Sequence, residues 1–477
     1  MKSLSFFISI LFATGSMAQG ISGKWQGYLT VGGNKIRFIM NLSKNADIYQ
    51  SSFDSPDQKV FGIAASKTTV VQDSVHSEIA VMRAGYNGKW DGKDSITGNY
   101  YQGPTVMTLN MKRMTETEMA SLPKDKVRPQ TPKPPFNYDS EEVEYDNADK
   151  TVHYGATLTK PRGVKNFPTV IIISGSGSQD RDGTILGHKL YWVLADYLTN
   201  HGIAVLRVDD RGMGKSTIGN DPEKLTSQVF STDVETSFNY LLSRNDLDKK
   251  KIGLIGHSEG GIIAPMVAAR RKDIAFVILW GASAVGGAEI NTQQNAYSLR
   301  KAKIDSVAVD AFAQLHKRIL DQFSMVTKEG LDNKVTAIYA EWKATQSKET
   351  LAKLYATDNA IIGQDIRKMY HSLYDLAWMR YFISYNPLTD LRKLTCPVLA
   401  INGMKDTQVD ATTNLAAIKE ALTRAGNKHY EIKALPSLNH LLQTANTGDL
   451  SEYENIDETI APSAMDVMVR WVLDIRY

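Results

Sequence analysis

The chain has 477 residues, of which 55 are basic and 52 acidic, and a formal net charge of +3. Its 42% hydrophobic and 22% charged residues are typical of a globular protein that buries a large core. The near balance of charge, without a basic run interleaved with aromatic residues, gives no reason to expect a nucleic-acid partner. The single cysteine, Cys396, excludes an intrachain disulfide, and its place at the start of an apolar run predicts a buried structural thiol.

The first residues, MKSLSFFISILFATGSMAQG, have the pattern of a secretory signal peptide. Lys2 precedes an apolar run that is too short to cross a bilayer, and residues 16–18, Ser-Met-Ala, form a small-x-small cleavage site. The pattern predicts residues 1–18 as the signal peptide and Gln19 as the mature N-terminus. We therefore expect an exported protein, periplasmic or secreted, with no membrane span after signal removal; a retained N-terminal anchor is the alternative.

Residues 19–120 are predicted to form a β-rich accessory domain. Segments such as GKWQGYLTV, KIRFIMNLS, TVVQDSVHSEIAV and TVMTLNMKRM alternate apolar and polar residues between Gly, Asn and Asp turns, as in a small antiparallel sandwich or barrel. The opening Gly23-Lys24-Trp25 resembles the G-x-W start of lipocalin-like barrels, so a ligand-binding barrel is an alternative to a purely accessory domain. Residues 121–138, rich in proline and charge, are predicted as a linker.

From residue 139 the pattern changes to buried strands that alternate with helices, which indicates a mostly parallel sheet with helices on both faces. This α/β core is predicted over residues 139–288 and 387–477. Between the two parts, residues 289–386 are helical in pattern and rich in Lys, Gln, Met and Tyr. An insertion between two strands of such a sheet is expected to form a helical cap over the strands' carboxyl ends, where open α/β sheets bind ligands.

Ser258 is the candidate nucleophile. It lies in Gly-His-Ser-Glu-Gly, a G-x-S-x-G pattern between an apolar strand, KIGLIGH, and a helix, GIIAPMVAARR. That context distinguishes a nucleophile elbow from an ordinary flexible turn. In such an elbow the backbone N–H of the next residue, Glu259, is an oxyanion donor, and the second donor is expected near Ser176, with Gly175 beside it. The Glu259 carboxylate either caps the helix or faces the pocket.

The base is expected to be a histidine downstream of the nucleophile, because triad residues on an α/β sheet of this kind follow the order Ser, Asp or Glu, His. His316 and His371 lie in the insertion at helical spacing and are expected to be structural. His440 follows the strand HYEIKALP, at the edge where Ser258 should also emerge. It is preferred to His429, which we place inside that strand.

The acid is expected after the preceding strand, where CPVLAINGMKDTQVDATTN contains two candidates. Asp406 comes directly after the strand and its turn. Asp410 immediately precedes a helix and is expected to serve as its N-cap. Asp406 is therefore predicted to orient His440 and to stabilise its imidazolium form.

Two other patterns suggest ligands but are incomplete. DDRGMGKST ends like a phosphate-binding loop, but Asp209 stands where that pattern requires glycine. Asp180 and Asp182 have calcium-like spacing, without the rest of the twelve-residue loop. No His/Cys group has zinc spacing. The sequence therefore predicts no cofactor and no metal.

GHSEGG, SGSGSQDRDG, DDRGMGKS, INGMKDTQV and LNH, taken together and in this order, resemble the α/β-hydrolase superfamily over about residues 140–477. They are most similar to bacterial secreted serine carboxylesterases with a helical cap. The resemblance implies Ser258 as nucleophile, Asp406 as acid and His440 as base. Many lipases have a His-Gly pair where this chain has the loop SGSG. The resemblance therefore does not identify the second oxyanion donor.

The function predicted from these observations is the hydrolysis of carboxylic esters of short acyl chains through an acyl-enzyme intermediate, with a small-molecule ester as the partner. An exported serine peptidase or aminopeptidase on the same fold is the alternative, because its triad would be identical. A non-catalytic protein that binds polysaccharide or lipid is a third hypothesis. The sequence leaves the oligomeric state open.

Overall fold

A computed structural model describes residues 20–31, 34–45, 48–58, 60–79, 84–103, 105–122, 127–355 and 366–476. The predicted signal peptide, residues 1–18, lies outside the described residues. The chain divides into two compact units, residues 1–123 and 124–477.

The described part of the first unit contains a curled antiparallel sheet and one short α-helix. Its described elements are β1 (Gly23–Val31), β2 (Asn34–Asn45), β3 (Ile48–Ser55), β4 (Val60–Ala64), β5 (Lys67–Val71), β6 (Ser74–Ile79), β7 (Ala84–Trp90), β8 (Ser95–Gln102), β9 (Thr105–Thr108), β10 (Met111–Arg113) and α1 (Glu116–Ser121). The strands follow the order β4-β3-β2-β1-β10-β8-β7-β6-β5, and β9 pairs with β8.

The sheet curls until β3 meets β5. The Ser51 hydroxyl of β3 lies 2.8 Å from that of Thr68 in β5, and it donates to Ser77 of β6. Alternating residues of the strands, among them Trp25 and Phe53, fill the enclosed core. TVVQDSVHSEIAV, predicted as one strand, forms a hairpin of β5 and β6 instead. The polar turn between them contains Gln72 at a φ of +54°, so the chain reverses there.

The second unit alternates strands and helices. Its described strands are β11 (Tyr138–Asp146), β12 (His153–Pro161), β13 (Thr169–Ile173), β14 (Thr184–Ile185), β15 (His188–Lys189), β16 (Ala204–Val208), β17 (Ile252–His257), β18 (Val277–Trp280), β19 (Val398–Gly403) and β20 (Tyr430–Leu435). Its described helices are α2 (Leu190–Asn200), α3 (Ser227–Ser243), α4 (Gly260–Arg270), α5 (Gly287–Lys301), α6 (Ser306–Leu320), α7 (Lys328–Thr345), α8 (Lys348–Tyr355), α9 (Ile366–Asp375), α10 (Ala377–Ser384), α11 (Leu388–Leu391), α12 (Ala411–Arg424) and α13 (Pro462–Asp474).

The main sheet of this unit follows the order β11-β12-β16-β13-β17-β18-β19-β20. The pairs β11–β12 and β12–β16 are antiparallel, and all pairs from β16 to β20 are parallel. Helices α3, α4 and α12 pack on one face, and α2 and α13 on the other. This is the predicted α/β architecture. Because the central strands are buried on both faces, they are almost continuously apolar in sequence.

Helices α5 to α10 lie between β18 and β19 in the chain and have a hydrophobic core of their own, with Phe312, Leu315 and Trp342 among its buried residues. Within the segment predicted as helical, residues 366–384 are divided into α9 and α10. In the described part of the chain, no helix combines the length and the apolar character needed to cross a membrane.

The predicted linker, from residue 127 onward, belongs to the second unit. The Arg128 side chain is fully buried and donates hydrogen bonds to the carbonyls of Leu186, Glu454 and Ile456. Residues around Arg128 are thus part of the folded unit and not a free connection.

Candidate active site

Ser258 lies on a sharp turn between β17 and α4. Its φ is +54°, a left-handed conformation that is unusual for a residue with a side chain. The turn is so tight that a Cβ at Gly256 would lie 2.1 Å from the carbonyl oxygen of Gly260, and a Cβ at Gly260 would lie 2.3 Å from that of Ile173. The two glycines of G-x-S-x-G are therefore required sterically. This is the strained strand-turn-helix context that exposes a nucleophile.

Asp406 and His440 are in direct contact. His440 Nδ1 lies 2.6 Å from Asp406 Oδ2, and both side chains are almost completely buried. The other carboxylate oxygen, Oδ1, accepts the backbone N–H groups of Gln408 and Val409 at 2.8 and 2.9 Å. The carboxylate is thus fixed in one orientation, with one oxygen directed at the imidazole.

Trp280, the last residue of β18, links the serine turn to the histidine loop. Its carbonyl accepts the N–H of Ser258 at 2.8 Å, and its indole N–H donates to the carbonyl of His440 at 3.1 Å. Since β17, β18, β19 and β20 are parallel neighbours, the residues that follow them emerge at one edge of the sheet. The structure therefore brings Ser258, Asp406 and His440 to the same edge.

The backbone N–H groups of the three residues predicted for the oxyanion site differ in their hydrogen-bond acceptors. Gly175 lies against the nucleophile, since a Cβ there would be 3.2 Å from Ser258 Cβ, but its N–H already donates to the Tyr191 hydroxyl at 3.1 Å. The N–H groups of Ser176 and Glu259 have no acceptor among the residues that the structure describes. Ser176 and Glu259 are thus the two predicted donors left available for a ligand.

The Glu259 carboxylate is buried and accepts two hydrogen bonds at Oε1. The donors are the Ser227 hydroxyl at the start of α3, at 2.6 Å, and the Trp378 indole N–H of α10, at 2.8 Å. Its side chain makes no capping bond to helix α4. Of the two placements considered from sequence, the carboxylate therefore does not cap the helix, and it bonds the turn of the nucleophile to the helical insertion.

Residues 183–445 match the model of the family described as serine aminopeptidase, S33, which covers more than half of the chain. The chain belongs to this family. The resemblance to the α/β-hydrolase superfamily is thereby confirmed.

The chain is also similar to the esterase EstD of Thermotoga maritima, with 24% identity over 371 residues, 77% of this chain and 74% of that protein. Among solved structures, the α/β hydrolase GrgF of Penicillium sp. sh18 is 16% identical with a TM-score of 0.41, over 70% of this chain and 98% of that chain. The Pyrococcus furiosus esterase Pf2001 is 14% identical with a TM-score of 0.41, over 70% and 91%.

His257 and Tyr191 are two residues of this hydrolase that the sequence did not single out as part of the site. The ring centroid of His257 lies 5.0 Å from that of His440, and its Nδ1 is 3.1 Å from the Tyr191 hydroxyl. Burial, and then the charge of His440, hold the pKa of His257 well below its usual value. His257 is therefore neutral and does not repel a protonated His440. Tyr191 lies in a helix of apolar spacing, which makes it look like an ordinary core residue.

The other three histidines downstream of Ser258 lie elsewhere. His429 is exposed just before β20, at the opposite edge of the sheet from Ser258. His316 is buried in the insertion between Tyr370 and Asn291, and burial lowers its pKa to about 4. His371 lies on α9, also within the insertion. Among the described contacts, none of the three bonds to Ser258, Asp406 or His440.

Asp410 has the structural role expected of it, whereas Cys396 is half-buried and not fully buried as predicted. Burial raises the pKa of the Cys396 thiol to about 11, which keeps it protonated and unreactive at neutral pH. The Asp410 side chain accepts the N–H of Thr413 at 2.8 Å and caps α12. The predicted N-cap is confirmed.

The acidic residues of the two incomplete ligand patterns are used within the fold. Asp209 pairs with Arg181 at 2.6 Å and also accepts the N–H of Lys215. Asp180 accepts the N–H groups of Asp182 and Thr184. Among the described residues, no group of three or more His, Cys, Asp or Glu side chains is arranged to hold a metal ion.

Proposed function

We propose that this hydrolase cleaves carboxylic esters of short acyl chains, with Ser258 as nucleophile, His440 as base and Asp406 as the orienting acid. The observation that carries the proposal is the 2.6 Å contact of His440 with Asp406, at the sheet edge where Ser258 occupies its strained turn. The similarity to the esterase EstD supports an ester as the substrate.

In the first step, His440 Nε2 takes the proton of Ser258 as Oγ attacks the ester carbonyl. The imidazolium that forms is stabilised by Asp406, whose carboxylate is already held in place by two backbone N–H groups. The carbonyl oxygen becomes an oxyanion, and the unoccupied N–H groups of Glu259 and Ser176 are its proposed donors. His440 then returns the proton to the departing alkoxide, which leaves an acyl-enzyme.

In the second step, water attacks the acyl group while His440 again acts as base, and the acid product leaves. The neutral state of His257 is favourable in both steps, since a second positive charge 5.0 Å from the His440 ring would oppose formation of the imidazolium.

Helices α5 to α10 are proposed to form a cap that limits the size of the acyl group. The hydrogen bond from Trp378 of α10 to Glu259 supports this role, because it attaches the insertion to the residue after the nucleophile. The first unit is proposed to be an accessory domain. Export is also a proposal, supported by the pattern of residues 1–18, and N-terminal sequencing of the mature protein tests it.

The esterase proposal is tested with p-nitrophenyl esters of increasing acyl length and with a fluorophosphonate probe. Purified wild-type protein should hydrolyse the acetate and butyrate esters fastest, and the probe should modify Ser258. Ser258→Ala should lose at least ~10³-fold in kcat, because the covalent route is removed. Full activity in Ser258→Ala would exclude the mechanism. Full activity with long acyl chains only would exclude the short-chain specificity.

Aminopeptidase activity is the second candidate, and the description of the family favours it. Such an enzyme must bind a substrate α-amine next to the scissile bond, and the Glu259 carboxylate is an acidic group beside the nucleophile. Hydrolysis of aminoacyl arylamides, compared with that of acyl esters at equal protein concentration, separates the two. Faster arylamide cleavage that is lost in Ser258→Ala would favour the peptidase.

A further inference from the structure

The segment of residues 174–179, which carries the proposed donor Ser176, is held at both ends by one carboxylate. The Ser174 hydroxyl donates to Asp210 Oδ1 at 2.6 Å, and the Gln179 N–H donates to Oδ2 at 2.8 Å. The Asp210 N–H in turn donates to the carbonyl of Gln179 at 3.0 Å. Asp210 follows β16, which is the parallel neighbour of β13 in the sheet. A residue at the end of one strand thus fixes the loop that follows the adjacent strand.

The residues between these two ends have little else to hold them. Ser176 is exposed, as are the two residues after it, so packing does not fix their backbone. Gly175 is tethered through its N–H to the Tyr191 hydroxyl. A donor that must meet a developing oxyanion has to be in place before the reaction, and a shift of about 1 Å can cost ~10²-fold in rate.

Asp210 is an uncommon choice for a purely structural acceptor. Its neighbour Asp209 is ion-paired with Arg181, whereas Asp210 forms no ion pair with a described lysine or arginine. The charged groups acting on it, Asp233 of α3 and Glu259 after β17, are also acidic. Burial, together with these charges, raises the pKa of Asp210 to about 7. A half-buried carboxylate without a cation costs stability, and carboxyl groups with a raised pKa cluster at functional sites.

We propose that Asp210 is a positioning residue of the oxyanion site, which fixes residues 174–179 so that the Ser176 N–H points to the carbonyl oxygen of the substrate. This inference rests on the proposed function, since it requires Ser176 to be a donor. Asp210 acts through its two hydrogen bonds to Ser174 and Gln179. It does not contact the reacting atoms.

The test compares Asp210→Ala, Asp210→Asn and Ser174→Ala, with Asp139→Asn as a control at an exposed ion pair with Arg162. Alanine removes both tethers, and kcat for p-nitrophenyl acetate should fall by ~30- to 100-fold while KM stays within about three-fold. Asparagine can keep both tethers, because its amide oxygen accepts from Gln179 and its NH₂ donates to the Ser174 oxygen. It should therefore restore kcat to within about five-fold of the wild type.

Three results would overturn the inference: an Asp210→Ala kcat within three-fold of the wild type, a folded Asp210→Asn as slow as the alanine variant, or a KM effect larger than the kcat effect. If Asp210→Ala does not fold, Ser174→Ala decides, with an expected ~5- to 10-fold loss in kcat; full activity there contradicts the inference. Labelling of Ser258 by the fluorophosphonate probe distinguishes failure of the proposed function from failure of the role of Asp210. An unlabelled Ser258 in the wild type refutes the proposed function and this inference together, whereas labelled wild type with fully active variants refutes only the role of Asp210.

Discussion

Replacing Asp406 by asparagine should abolish most of the activity without unfolding the protein. Asp406 Oδ1 accepts two backbone N–H groups, so the amide oxygen of the asparagine must take that place. The NH₂ group then faces His440 Nδ1, to which it donates a hydrogen bond. This arrangement favours the tautomer with the proton on Nε2, which cannot accept the proton of Ser258.

The magnitude follows from the geometry of the pair. A carboxylate and an imidazolium with charge centres ~4 Å apart attract by about 4 kcal/mol at an effective dielectric constant near 20. Losing that stabilisation in the transition state corresponds to about 10³-fold in rate. The unfavourable tautomer lowers the rate further, so we expect kcat to fall by ~10³- to 10⁴-fold at neutral pH.

The assay is steady-state hydrolysis of p-nitrophenyl acetate, with circular dichroism to show that the variant is folded. Asp410→Asn is the matched control, because Asp410 lies four residues away and caps α12, and asparagine is an equally good N-cap. That control should keep its kcat within two-fold. A folded Asp406→Asn that retains more than a tenth of the wild-type kcat would refute the proposed role of Asp406.

Three further results are expected. Trp378→Phe removes the indole N–H that donates to Glu259, and it should lower kcat/KM for esters by roughly ten-fold, the cost of one hydrogen bond to a charged group. An unchanged kcat/KM would show that this contact of the insertion does not contribute to catalysis. Burial lowers the pKa of His316 to about 4 in the folded protein, against 6.5 for the unfolded group, so the unfolded chain binds the proton first as the pH falls. The free energy of unfolding should therefore fall by up to ~3 kcal/mol from pH 6.5 to 4. Thermal unfolding of His316→Gln over the same pH range should show a smaller fall. Cys396→Ala should keep full esterase activity, and the wild-type thiol should react with iodoacetamide at pH 7.5 far more slowly than a free cysteine, since its pKa is about 11.

The sequence was sufficient to predict the α/β architecture and to propose a candidate triad, because both inferences depend on local patterns. Buried parallel strands are nearly continuous in apolar residues, and the helices between them have their own period. A G-x-S-x-G between a strand and a helix favours a tight turn, and here a Cβ at Gly256 would lie 2.1 Å from the carbonyl oxygen of Gly260. Residues that follow parallel strands meet at one edge, so the order of Ser258, Asp406 and His440 in the chain was enough to place them there.

Some local boundaries were not accessible in this way. A polar turn of two residues inside TVVQDSVHSEIAV converts one apparent strand into a hairpin, because alternation continues on both sides of it. The proline-rich segment was expected to be a linker, yet Arg128 is buried in the second unit by hydrogen bonds to carbonyls far along the chain.

The tertiary structure alone decided how the site is held. Trp280 joins the loops of Ser258 and His440 across 160 residues, and Trp378 reaches Glu259 across 119. In the sequence, Asp210 is one of two adjacent acids in DDRG. In the structure, its carboxylate accepts hydrogen bonds from Ser174 and Gln179, at the two ends of the loop after β13. Such contacts leave no periodic trace in the sequence, since each depends on the relative positions of elements that only the folded sheet brings together. The sequence thus predicted the candidate triad, and the fold determined which residues keep those side chains in place.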